Sequence, residues 1–368
     1  MSDCLLALGT STRRQLSNIE IVYYTIGDLK RLLEDDHFWM QEQLPITRRR
    51  AISHVANPRA DDSDTVLVTA LNKGRLTAYL GILPDVFMNE DEEPVKFGWT
   101  TAWWVDRESR HRALATIILF AAMEKCSNRI AGCNPSKESE RVWAATKRFR
   151  ECVRFDRLRF ILAPPPSFRV ISPLTRWFAG RKNRMIFNPR LQRRGLELRT
   201  VGAFDAALES FVNTRALKDP LARDSSYWNW VLNFPWMSAN PEDETAQKRY
   251  AFSVFAKDFQ QISMLVSRRG RVIAFLVLTL REGRLSLKYA DYELCDALDV
   301  ATALQVTVAE INPWLFVSAD SVLSAALKRL MPFYLARHTN TSAIYAAKGL
   351  PLSLGSHPHW GTGDKLFT

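Results

Sequence analysis

The sequence predicts an α+β fold laid down twice, each copy a mixed, mostly antiparallel sheet flanked by helices. Length is the first ground: 368 residues exceed what one ordinary core organises, so two domains are expected. The second is an internal repeat, in which strand, helix, hairpin, strand, helix and strand follow in the same order in both halves. Turn chemistry is the third. A basic residue followed by glycine separates alternating runs at corresponding places, Lys73-Gly74 and Arg269-Gly270.

The first copy opens with "IEIVYYTIGDLKRLLED" (19–35), a β-branched strand, a turn and an amphipathic helix with Leu29, Leu32 and Leu33 on one face. "LELRTVGAFDAALESFV" (196–212) reads the same way, with Glu197 and Asp205 spaced as Glu20 and Asp28 are. The hairpins are "TVLVTALNKGRLTAYLG" (65–81) and "SMLVSRRGRVIAFLV" (263–277). Strand, helix and strand then span 97–105, 113–125 and 129–133 in the first copy, and 285–291, 297–311 and 314–318 in the second. A helix over 136–148 follows, with Ser136 as its N-cap and Glu138 in its first turn. The strand 149–162 alternates, but its apolar phase changes between Phe155 and Leu158, which predicts a bulge near Asp156-Arg157.

These elements divide the chain into domains 1–162 and 196–368, joined by a linker, 163–195, that opens with three prolines. The linker carries eight Lys/Arg and no acidic residue, much of the net charge of +11. Its stretch "PLTRWFAGRKNRMIF" (173–187) interleaves aromatic and basic residues, so it is either a basic connector or a peripheral contact with an anionic membrane. The charge favours anionic partners. No RRM, helix-turn-helix or KH pattern accompanies it, so nucleic acid is not expected. Five scattered cysteines without a CxxC, and histidines without an HxxxH, point to reduced thiols and no metal. The longest apolar run, 115–123, is too short to span a bilayer, and the N-terminus reads as a cytoplasmic start.

The stretch with the most chemistry in it is "WWVDRESRHRALATIILFAAMEK" (103–125), a strand, a basic turn and a helix start. A helix N-terminus leaves N–H groups unpaired and carries partial positive charge, so it suits an anion. Arg110 and Arg112 add charge-assisted contacts, and the small residues Ala113 and Ala115 let an anionic group approach the backbone. The fixed glycines of Rossmann and P-loop turns are missing.

With its flanking elements, this turn resembles the acyl-CoA pyrophosphate loop of the GNAT acyltransferase superfamily, a strand, an Arg-x-x-Gly-x-Gly/Ala turn and a helix. The family's arginine falls on Arg110, its two glycine positions on Ala113 and Ala115, and His111 and Arg112 lie between. The repeated element order is also similar to that family's, over nearly the whole chain apart from the linker. "LPITRRRAISHVANPRADDSDTVLV", "FGWTTAWWV" and "SSYWNWVLNFPWM" resemble tandem GNAT proteins encoded near bacterial surface-polysaccharide genes. The resemblance implies two tandem GNAT-like domains and transfer of an acyl group from acetyl-CoA or another acyl-CoA to an amine, such as an amino sugar. Carried over residue by residue, it implies donor contacts from Trp103, Trp104, Val105, Arg110, His111, Arg112, Ala113, Leu114, Ala115 and Asn134. Asn134, at the end of the second strand, is the polar catalytic candidate; no general base is identified, because "WTTAWW" has no carboxylate and Trp143 stands where many relatives place a tyrosine.

The second copy's turn, "DYELCDALD" (291–299), carries four carboxylates that would repel a pyrophosphate, so the first copy is expected to hold the donor. The Trp-rich 227–237 reads as core, "NEDEEP" (89–94) as a solvated hairpin tip, Cys133 as a structural thiol, and Arg50 in "TRRRA" as part of a solvated run. Two other functions remain open: a non-catalytic binding or scaffold protein, and a Fem-type transferase that takes its aminoacyl group from tRNA.

Overall fold

The computed structural model describes residues 13–16, 19–165, 191–202, 204–330, 334–354 and 363–368. Most of the linker, including 173–187, lies outside the described residues. In the first half, β1 (Arg13–Leu16) and β2 (Ile19–Thr25) lead into helices α1 (Ile26–Glu34), α2 (Asp36–Trp39) and α3 (Arg48–Val55). Strands β3 (Thr65–Asn72), β4 (Arg75–Met88) and β5 (Pro94–Val105) follow, then α4 (Leu114–Lys125), β6 (Ile130–Cys133), α5 (Lys137–Thr146) and β7 (Phe149–Ile161). The second half repeats the order with β8 (Leu196–Thr200), α6 (Ala206–Ala216), α7 (Ser225–Asn233) and α8 (Glu242–Arg249). It continues through β9 (Phe259–Arg268), β10 (Arg271–Arg281), β11 (Arg284–Tyr292), α9 (Ala297–Ile311), β12 (Leu315–Ser318), α10 (Ser321–Leu330) and β13 (Ala336–Ala347). The α+β expectation holds.

Local chemistry explains the boundaries. Thr25 and Asp28 form a capping box at α1, with the Asp28 N–H donating to Thr25 Oγ1 at 3.2 Å and the Thr25 N–H to Asp28 Oδ2 at 2.8 Å. At α6 the matching aspartate, Asp205, is itself the N-cap and accepts the Leu208 N–H at 2.9 Å. Lys73-Gly74 and Arg269-Gly270 both have positive φ, which fits the twist of their hairpins.

The two halves share one thirteen-stranded sheet, and each gives its last strand to the other. Strand β13 lies between β6 and β7, while β7 lies between β13 and β12. Only β5–β6 and β11–β12 are parallel pairs among the described ladders. Helices α4, α5, α9 and α10 cover one face of the sheet, with Ile118, Leu119, Trp143, Leu304 and Leu323 in its core. The opposite face is covered by α1, α3, α6, α7 and the C-terminal turn Gly363–Phe367. No described helix is long and apolar enough to cross a membrane.

Two expectations need correction. The phase change along β7 is not a bulge at Asp156-Arg157, where pairing with β13 is regular. Both faces of this central strand are covered, so Val153 and Phe155 pack on one side while Leu158 and Phe160 pack on the other. The ladder does slip, but at Cys152, where Ile344 pairs with Val153 and Tyr345 with Glu151. Arg50 is not solvated: it is 4% exposed, its guanidinium 4.2 Å from the Trp236 ring centroid and 5.2 Å from that of Tyr250. The helix that carries Arg50 packs this face inward, as sequence charge alone did not reveal. The Trp-rich segment is core, with Trp228, Trp230 and Trp236 buried, and the 89–94 tip is exposed.

One turn beyond Arg50, His54 is buried and stacked on Trp236 at 5.5 Å. Burial, reinforced by the Arg50 charge, holds its pKa at about 3, below the ordinary 6.5. The imidazole is therefore neutral in the folded protein but takes a proton on unfolding below pH 6.5. Its contribution is complete above that pH and is lost as pH falls towards 3. In urea titrations between pH 7 and 4, His54→Phe should flatten the acid loss of stability by up to about 1.4 kcal/mol per pH unit. An unchanged slope would place His54 in contact with water.

Candidate functional site

The sheet opens beside α4. Strands β5 and β6 pair only through Gly98–Ile130 and Trp99–Ala131. Beyond that, β5 runs on to Val105, whereas Asn134 (φ 51°) turns the chain after β6 and its N–H donates to the Ala343 oxygen at 2.8 Å. Ala102, at φ 44°, interrupts β5 where its register with β4 shifts between Tyr79 and Gly81. After this bulge Trp103 and Val105 join the core beneath α4, whereas Trp104 lies on the other face, stacked on Tyr79 at 5.3 Å.

The turn itself begins with the Asp106 N–H bonded to the Thr77 oxygen at 2.8 Å and continues as a 3-10 turn over Arg107–Arg112. Ala113 then adopts a left-handed conformation, φ 56° and ψ 16°, and α4 starts with no side-chain cap. The N-terminal turn of α4 carries the positive end of the helix dipole. Leu114 is buried beneath α4, so only its backbone can reach a ligand; Ala113 is exposed and Ala115 half-buried. The side chains of Arg110, His111 and Arg112 lie outside the described residues. Acidic neighbours are occupied: Asp106 and Glu108 lie 3.3 and 3.6 Å from Arg75.

Two indoles fill the space between the diverging strands. Trp143 of α5 lies over Gly132, where a Cβ would come within 2.3 Å of the indole and 2.6 Å of Thr100 Oγ1. Trp143 also stacks on Trp103 at 6.2 Å and Phe149 at 5.3 Å. The Nε1 of both Trp103 and Trp143 is buried with no hydrogen-bond partner among the described residues. Tyr345 of β13 stands 5.4 Å from Trp143, its hydroxyl bonded to Glu140 and, at 3.3 Å, to Glu151. Burial and these carboxylates push its pKa up to about 12, so the phenol keeps its proton and can donate one. No local sequence signal marks Tyr345, because it arrives from the other half on the exchanged strand. Burial also raises the Cys133 thiol, consistent with a structural cysteine.

The residues singled out in the sequence therefore separate. Trp103, Val105 and 113–115 gather around the start of α4, while Trp104 lies across the sheet. Asn134 accepts from Ser342 Oγ at 2.8 Å and lines a basic cavity together with Arg157, Lys288 and Lys365.

The corresponding place in the second half is closed electrostatically. Arg268 lies 2.9 Å from Asp296 and 2.8 Å from Asp299, Arg194 lies 2.6 Å from Asp299, and Arg215 clamps Asp291 at 2.6 Å and Glu293. The Tyr292 hydroxyl donates to Asp320 across the mouth between β11 and the end of β12, at 2.9 Å. Asp296 and Asp299 place negative charge at the α9 N-terminus, although the Asp296 side chain makes no cap hydrogen bond there.

No protein-family model and no curated protein matches the sequence. Among solved structures the chain is similar to Saccharomyces cerevisiae N-myristoyltransferase with bound myristoyl-CoA, at TM-score 0.52 and 12% identity, covering 93% of this chain and 86% of that one. It is also similar to a putative acetyltransferase from Pyrococcus horikoshii, at TM-score 0.48 and 11% identity, covering 96% and 98%. A GCN5-related N-acetyltransferase from Anabaena variabilis matches at TM-score 0.46 and 10% identity, covering 76% of this chain and 61% of that one. The fold is that of the acyltransferase structures, with the first of these carrying the assignment.

Ala113 yields a direct test of this backbone. A left-handed alanine costs about 1–2 kcal/mol, partly offset in a glycine by the entropy that glycine loses on folding, about 0.5–1 kcal/mol. Ala113→Gly should therefore raise stability by up to about 1 kcal/mol in urea titration. A loss of stability would mean that Ala113 does not adopt the left-handed turn.

Proposed function

We propose that the protein is an acyl-CoA-dependent N-acyltransferase acting on an amine acceptor, such as an amino sugar of surface-polysaccharide synthesis. The observation that carries this is the uncapped start of α4 beside the β5–β6 opening, within a fold whose likeness to an acyl-CoA-bound transferase spans nearly the whole chain. The backbone N–H groups of 114–116 and the side chains of Arg110 and Arg112 would take the pyrophosphate, with the left-handed Ala113 presenting the backbone. Trp103 and Val105 would flank the pantetheine arm. The reaction needs the amine lone pair to attack the thioester carbonyl, a proton to leave the nitrogen, and a proton to reach the departing sulfur. In this reading the first domain, 1–162, holds the donor and the second, 196–368, shapes the acceptor side.

One observation favours a second reading, a non-catalytic binding protein: Trp143 already fills the space over Gly132 where the strands part. A thermal-shift series with CoA, acetyl-CoA and longer acyl-CoAs separates the two. At a hundredfold excess over Kd a true ligand adds about 2.7 kcal/mol of stability. Arg110→Glu should weaken donor binding at least tenfold, equivalent to about 1.4 kcal/mol, whereas Arg271→Glu, at an exposed position on β10, should leave it within a factor of two. Silence across the series would favour the binding-protein reading. A response confined to aminoacyl-tRNA would mark a transferase of that class.

A further inference from the structure

The strand register assembles a second basic site on the face away from α4. Thr279 of β10 pairs with Ser286 of β11, Ser286 with Val317 of β12, and Val317 with Arg159 of β7. One step along, Arg281 pairs with Arg284 and Arg284 with Leu315. Because directly paired residues share a face, these rows put Arg159, Arg281 and Arg284 on one patch. Arg157 joins it on β7, opposite Asn340 of β13. Lys288 of β11 and Lys365 of the C-terminal turn close the sides of a cavity of about 290 Å³. That volume lies near the lower end of small-molecule pockets, roughly 300–1,000 Å³.

The cavity is lined by six cationic side chains and by no acidic side chain among its described residues. Lys288 is 6% exposed and donates to the main-chain oxygen of Thr368, and Lys365 has Asp364 at 3.5 Å. The charges act on one another. Burial and then Arg159 lower the pKa of Arg157, burial followed by Arg159 and Arg281 lowers that of Arg284, and burial with Lys365 brings Lys288 to about 7. Six cationic groups around one cavity give it a positive potential that favours an anion. Planar guanidinium groups beside ammonium groups match the several acceptor oxygens of a phosphate.

We propose that this cavity binds a phosphate monoester carried by the acceptor, which makes the acceptor class a phosphorylated amine such as an amino-sugar phosphate. The inference rests on the acyl-transfer reading only in assigning the anion to the acceptor. Binding of the phosphate itself is measured without CoA, so the two can fail separately. Neither half could form the site alone: Arg157 and Arg159 come from β7, and the other four cations from the second half.

The test is calorimetric titration of the full chain with inorganic phosphate and with glucosamine 6-phosphate, at constant ionic strength, for the parent and for R159Q and R284Q. Both replaced side chains are half-buried or exposed, so the variants keep the core intact. Saturable binding is expected, at least tenfold weaker in each variant, while the ligand-free melting temperature stays the same or rises as repulsion is relieved. Undiminished binding in both variants, or an equal response to chloride, would overturn the proposal. So would acetate matching phosphate, which would mark a carboxylate site. Binding to phosphatidylglycerol vesicles without binding of either soluble phosphate would overturn it in favour of a membrane contact.

Discussion

The exchange of closing strands is the constraint on which the rest of the structure depends. Strand β7 must leave the first half to reach β12, and β13 must return to lie against β6. An unpaired edge at β6 or β12 would expose a row of N–H and C=O groups in the middle of the molecule. The exchange satisfies both edges at once and makes a single sheet of two repeated units. It also brings side chains from one half to the other's site: Tyr345 stands beside Trp143, and Arg157 and Arg159 line a cavity that is otherwise built by the second half.

With the sheet continuous, the two repeats have been free to diverge in electrostatics while keeping their backbone order. Each has a helix starting just past its central strand. At α4 no side chain caps the start, and nearby Asp106 and Glu108 are taken up by Arg75. At α9 the carboxylates of Asp296 and Asp299 occupy the positive end and are themselves held by Arg268 and Arg194. The two helix starts thus differ in the charge beside them, since α4 follows a turn rich in arginine whereas α9 begins among carboxylates. A separate group of cations lies on the opposite face, in the cavity between β7 and β10.

Much of the fold was legible because its signals are local. The Lys73-Gly74 and Arg269-Gly270 turns, the Ser136 cap of α5 and the leucine face of α1 each depend on neighbours within a few residues. Long-range placement was not. Nothing in "FRECVRFDRLRFIL" says that both faces of β7 meet hydrophobic layers, so its change of apolar phase looked like a bulge. Arg50 belongs to a triplet of arginines that reads as solvated, and only the packing of Trp236 and Tyr250 around α3 explains its burial. The α4 turn could be located from its own residues, whereas the basic cavity could not. Its cations come from three stretches of chain, with Arg159 and Arg281 more than a hundred residues apart, and they meet through the register of the central strands and the C-terminal turn.

The exchanged strands join both halves in one continuous sheet, which should therefore open as one cooperative unit. Native-state hydrogen exchange of the full chain tests it most directly. The paired amides of Phe149–Ile161 and Ala336–Ala347 should rank among the slowest in the protein and should exchange together, with a free energy of opening close to that of global unfolding. Early exchange of β13 while β6 and β7 stay protected would contradict the claim, since it would mean that the last strand opens alone and the two halves stand without it.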